Sequence, residues 1–149
     1  MRNFIFITFI FISSLAVGQQ KKTEKLLFEI DNTQMRVVEN NGSFNLEMNS
    51  KAGKKIIRKG NALTPKLIIL LNDPQKGIIA HYILSQIWIN NWGEASCGGN
   101  GKPPLNEITY IIYNGLRIEI NPDRSVYSKK EHLIEKKSEW ERFQKMTKN

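Results

Sequence analysis

Residues 35–48, MRVVENNGSFNLEM, are two runs of alternating character that meet at Asn41-Gly42. Both turn residues tolerate positive φ, which a two-residue hairpin turn demands, so the pair predicts a β-hairpin. The register follows from the turn length. Met35 faces Met48 and Val37 faces Leu46 on one side, while Arg36 meets Glu47 on the other as a cross-strand ion pair. One face is core and the other is solvent. Upstream, Leu26, Phe28 and Ile30 alternate with Leu27 and Glu29, and Asp31-Asn32 supplies turn residues. That pattern predicts a further strand with Phe28 opposite Met35, making an N-terminal antiparallel β-meander of three strands.

Residues 107–121 repeat this logic around Asn114-Gly115 and predict a second β-hairpin. Tyr113 then faces Leu116, Ile111 faces Ile118 and Thr109 faces Ile120 on the buried side. Tyr110 with Glu119 and Ile112 with Arg117 lie outside. Between the hairpins the signals are helical. Thr64-Pro65 reads as an N-cap followed by proline at the first helical position, and Asp73-Pro74 repeats it at once. The second helix, from Pro74 to about Trp88, carries Ile79, Ile83 and Ile87 on one stripe, widened by Ile78, Tyr82 and Leu84. Together they predict a central αα-hairpin. The stretch LTPKLIILLNDPQKGIIAHYILSQI, residues 63–87, is similar to a single HEAT-type helical hairpin. That architecture stacks several copies; this chain carries one, so the family is not assigned. Ser128-Lys129-Lys130-Glu131 reads as a capping box opening a C-terminal amphipathic helix to about Met146, with Leu133, Trp140 and Phe143 on its apolar stripe. The order β-β-β-α-α-β-β-α predicts an α+β fold.

The first residues read as a leader rather than as fold. Met1-Arg2-Asn3 is a short basic start, Phe4 to Ile12 is almost wholly apolar, and Ala16 and Gly18 stand at −3 and −1 of a cleavage site before Gln19. This is the pattern of a bacterial secretory signal peptide over 1–18, which predicts a protein exported to the periplasm or secreted, with one domain over 19–149. The apolar run falls well short of the ~20 residues that span a bilayer, so no transmembrane segment is expected in the mature chain. The box Leu15-Ala16-Val17-Gly18 approaches a lipoprotein site, but Gln19 stands where the lipidated cysteine would be.

Lys and Arg number 22 against 14 Asp and Glu. The excess clusters at Lys21, Lys22 and Lys25, and again at Lys51, Lys54, Lys55, Arg58 and Lys59, with no acid between Ser50 and Gly60. Such a balance favours anionic partners. For an exported chain these are a lipid surface, an envelope polysaccharide or an acidic protein; nucleic acid is not expected. The segment KAGKKIIRKG, residues 51–60, is expected to be an edge strand whose lysines discourage edge pairing, with anion gripping by Lys54, Lys55 and Arg58 as the alternative.

A lone cysteine, Cys97, excludes an internal disulfide. It lies in NNWGEASCGGNGKPP, residues 90–104, expected to be a surface loop. A nucleophilic thiol needs a base, and His81 on the preceding helix is the candidate, although helix rise leaves it about two turns from the loop. His81 and Ser85, four apart, are expected to form the solvent strip of that helix. No G-x-S-x-G elbow, phosphate loop, calcium loop or metal-ligand spacing is present, so neither a cofactor nor a metal is expected. The loop also holds Trp92, Glu94 and Asn100, which suit a recognition surface because rings supply contact area at low entropic cost. The reading that asks least is a small exported non-enzymatic binding protein, immunity- or inhibitor-like in character, whose partner is another protein or an anionic envelope component. The alternatives are a thiol-dependent enzyme using Cys97 with His81, and a polyanion or envelope-surface binder working through Lys51 to Lys59.

Overall fold

In the computed structural model the described residues are 18–40, 43–89, 97–99 and 109–147. Strands β1 (Met35–Asn40) and β2 (Ser43–Met48) form the first hairpin in the expected register, Met35 opposite Met48 and Val37 opposite Leu46. Arg36 donates to Glu47 at 3.1 Å on the outer face. Met35, Val37, Phe44 and Leu46 are buried beneath it.

The strand expected before this hairpin is instead the end of a helix, α1, over residues 18–29. Its buried positions are Thr23, Leu26 and Leu27, followed by Ile30 just beyond the helix end. That spacing of three, four and seven is a helical stripe. A strand would send the adjacent Leu26 and Leu27 to opposite faces, whereas a helix buries both. Phe28, expected opposite Met35, is 81% exposed. Lys76 closes the helix by donating to the carbonyls of Leu27 (3.1 Å) and Phe28 (2.8 Å), two acceptors that the helix end leaves free. The expected leader over 1–18 lies outside the described residues except for Gly18, which belongs to α1.

Residues 51–59 are likewise helix and not edge strand: α2 spans Lys51–Lys59. The Ser50 hydroxyl caps it by accepting from Gly53 N–H at 3.0 Å, and Gly60 ends it at φ 70. Ala52, Gly53 and Ile56 face the core, and long unbranched lysines suit a helix.

The αα-hairpin forms from α3 (Thr64–Leu70) and α4 (Gly77–Ile87). The second helix begins three residues later than Pro74, after a turn in which Asp73 accepts from Gln75 N–H through its carboxylate (2.8 Å) and from Gly77 N–H through its carbonyl (2.7 Å). Thr64 is the first helical residue and not a cap; its hydroxyl accepts from the Trp88 indole at 2.9 Å. The missing cap of α4 comes from a distance. Asn32 sits in a 3-10 turn (Asn32–Gln34), and its Oδ1 accepts from Ile79 N–H at 3.0 Å while its amide donates to Pro74 O at 2.8 Å.

A second antiparallel sheet has the strand order β3-β4-β5-β6, from β3 (Cys97–Gly99), β4 (Thr109–Tyr113), β5 (Leu116–Ile120) and β6 (Val126–Tyr127). The β4–β5 register is the expected one throughout, from Thr109 opposite Ile120 to Tyr113 opposite Leu116. Asn114 (φ 47) and Gly115 (φ 77) make the left-handed turn. The flanking strands were not anticipated. Helix α5 (Lys130–Met146) buries Leu133, Trp140 and Phe143, as its stripe predicts, and also Lys136. Its capping box does not form: the N-cap is Lys129, and the Ser128 hydroxyl donates to Arg117 O at 2.7 Å.

The architecture is α+β, two small antiparallel sheets around a helical centre. Helix α4 is that centre, touching α2 and α3 and burying residues 77–81 and 83–85. Among the described residues no helix is long and apolar enough to cross a membrane.

Candidate functional site

Burial of most of α4 decides the role of His81. It is fully buried, not part of a solvent strip, and so is Ser85, whose hydroxyl donates to His81 O at 2.9 Å. His81 Nδ1 accepts from the Trp140 indole N–H at 3.0 Å, so Nε2 carries the proton and donates to Tyr113 O at 3.0 Å. Burial pushes its pKa down to about 3; the bond to Tyr113 opposes this weakly, and the Lys136 charge adds to it. The backbone of Cys97 does come near, because β3 pairs Cys97 with Tyr113. Yet both ring nitrogens are committed to protein partners, which leaves none to take a thiol proton. His81 is a core histidine.

Trp92, Glu94 and Asn100, expected from the sequence to form a recognition surface, lie outside the described residues. Lys54, Lys55 and Arg58 are described and exposed, on α2. The helix turns all five of its cations, Lys51, Lys54, Lys55, Arg58 and Lys59, to solvent and Ala52, Gly53 and Ile56 to the core. Among the described residues none of the five joins an ion pair. Cations elsewhere do: Lys66 with Glu24 at 3.6 Å, Arg36 with Glu47 at 3.1 Å, Lys137 with Glu141 at 3.7 Å. On α2, Lys51 and Lys55, Lys54 and Arg58, and Lys55 and Lys59 are like charges four residues apart, each pair destabilising by about 0.2–0.5 kcal/mol. Lys51 also stands at the helix N-terminus, where the macrodipole disfavours a cation.

This face continues onto α1. Between the two helices lies a cleft of about 350 Å³ lined by Lys22, Lys25, Leu26, Glu29, Lys55 and Lys59. Lys25 is within 3.9 Å of Glu29. In the sequence these lysines stand in two separate charge clusters, about 30 positions apart, and only the fold joins them into one site. The helical spacing of Thr23, Leu26 and Leu27 was the available signal, since it turns Lys22 and Lys25 out of the core together.

Two other surfaces are less open to ligands. A cavity of about 300 Å³ is lined by Asp31, Asn32, Thr33, Pro74, Gln75, Ser125 and Val126. Several of its polar groups serve the fold: Asp31 accepts from Thr33 N–H, and the Asn32 amide donates to Pro74 O and accepts from Ile79 N–H. On the outer face of the second sheet the Arg117 guanidinium lies 3.9 Å from the Tyr110 ring centroid, and Ile112 is exposed beside it. Tyr127 donates to Glu119 there, which raises the phenol pKa.

Compared with protein-family models, curated proteins and solved structures, the chain finds no match in any of the three.

Proposed function

We propose that this chain is an exported, non-catalytic binding protein that recognises an anionic partner through the cationic face of α2 and the cleft it shares with α1. One observation carries the reading: five exposed cations stand together on a short helix without carboxylate partners among the described residues. That arrangement lowers the stability of the free protein, and an anion laid across it would relieve the repulsion. The enzyme alternative is weaker because His81, the base that reading assigned to Cys97, is neutral and doubly hydrogen-bonded.

Retention on a heparin column tests the proposal. The wild-type chain should need substantially more salt for elution than a variant carrying Lys54→Gln, Lys55→Gln and Arg58→Gln, because each engaged cation releases counterions on binding. Equal elution of the two at low salt would remove the proposal. A folded protein whose cysteine reacts fast with maleimide at mildly acidic pH, together with an activity lost in Cys97→Ser, would revive the thiol reading.

A further inference from the structure

We infer that the α1–α2 cleft takes an acidic glycan, a sugar chain bearing carboxylate or sulfate groups. The inference rests on the anion-binding proposal and names its ligand class. Lys22 and Lys25 stand on the α1 wall and Lys55 and Lys59 on the α2 wall, so an occupant meets ammonium groups from both sides. The largely buried Leu26 lines it too, and Glu29, within 3.9 Å of Lys25, places a carboxylate among the lysines. That carboxylate discriminates between anions. A DNA backbone offers acceptor oxygens alone, and inorganic phosphate or a phosphatidic acid surface offers mainly these, which Glu29 repels. A sugar ring offers several hydroxyl donors as well, which a carboxylate accepts in charge-assisted bonds. A ligand that alternates acid groups with hydroxyls satisfies both kinds of charge in the cleft. The volume, about 350 Å³, is that of a small-ligand site. The rest of the chain would run along Lys51, Lys54 and Arg58 on the open face of α2.

The test is titration of the full-length mature protein with a short oligogalacturonate at low salt, alongside phosphatidylcholine vesicles doped with phosphatidic acid and a DNA duplex. Saturable binding to the oligogalacturonate is expected, weakened roughly tenfold in a Lys22→Gln, Lys59→Gln variant. Glu29→Ala is expected to weaken it about three- to tenfold even though it removes a repelling charge. Tighter binding by Glu29→Ala would overturn the glycan assignment and leave a plain cationic surface. Should that variant fail to fold, the comparison of ligands decides: vesicles or DNA bound as tightly as the oligogalacturonate overturn the assignment. Binding to none of the three would bring down the anion-binding proposal itself.

Discussion

Trp140 on α5 donates its indole N–H to Nδ1 of His81 on α4 at 3.0 Å, a bond between two fully buried side chains. It sets the tautomer of the histidine, aims Nε2 at the Tyr113 carbonyl, and so ties the C-terminal helix to the second sheet through the central helix. Edge contacts of the His81 ring with Tyr113 and Trp140, both at 6.1 Å, complete the packing.

The pH dependence of stability follows from this burial. The His81 pKa falls from 6.5 to about 3 on folding, so between these values the unfolded chain binds a proton that the folded chain refuses. Its contribution is intact above pH 6.5 and is lost as pH falls toward 3, with a slope approaching about 1.4 kcal/mol per pH unit. Urea melts across this range should show that slope in the wild type and a shallower one in His81→Gln. Equal slopes in the two proteins would contradict it.

Removing the indole donor strands a buried acceptor. Trp140→Phe should lower stability by about 2–4 kcal/mol, from lost volume and from the unpaired His81 Nδ1. Combined with His81→Gln its effect should be non-additive by more than about 0.5 kcal/mol, as expected for groups in one network. Chemical denaturation of the four proteins of the cycle measures this.

The remote cap of α4 is a second long-range dependence. Asn32→Ala should cost about 1–3 kcal/mol, because Ile79 N–H and Pro74 O both lose a partner. Thr33→Ala, one residue away and exposed, should cost less than about 0.5 kcal/mol. Thermal melts that rank these two in the opposite order would refute the role of Asn32.

The β4–β5 turn is also sensitive to one atom. At Gly115 (φ 77) a Cβ would stand 2.6 Å from the buried Lys136 ammonium, so Gly115→Ala should cost about 1–2 kcal/mol. The neighbouring Asn114 is left-handed too, but its buried Nδ2 has no partner among the described residues, so Asn114→Gly should be nearly neutral or stabilising.

On α2 the charges should make stability and binding trade off. Lys55→Gln removes two like-charge contacts, with Lys51 and with Lys59, and should raise the melting temperature at low salt by a degree or two, on the order of 0.5 kcal/mol. Salt should raise the melting temperature of the wild type more than that of the variant. The same substitution should weaken anion binding.

The two hairpins were legible to the residue. In each, an Asn-Gly pair sets the turn and a period-two pattern sets the faces, and both signals lie within a dozen residues of one another. The burial stripe of α5 was legible for the same reason. Where two local periods compete, the sequence is ambiguous. Leu26, Phe28 and Ile30 read as a strand taken alone, and as a helix once Thr23 is counted. KAGKKIIRKG offered lysines to an edge strand and Ala52 with Ile56 to a helical stripe; Ser50 and Gly60, cap and stop, tip it to helix. Ser128 and Thr64 both looked like caps, but each hydroxyl found a partner distant in sequence.

By itself, then, the sequence determined the hairpin registers, the αα-hairpin and the apolar stripe of the last helix, because propensity, turn chemistry and periodicity act over a few residues. Tertiary structure decided what covers each face. It covered the His81 face of α4, which turned His81 from a polar-strip residue into a neutral core group, and it set α1 beside α2, which gathered Lys22, Lys25, Lys55 and Lys59 around one cleft. Those outcomes depend on which distant elements exclude water from a surface, and no local pattern along the chain encodes that.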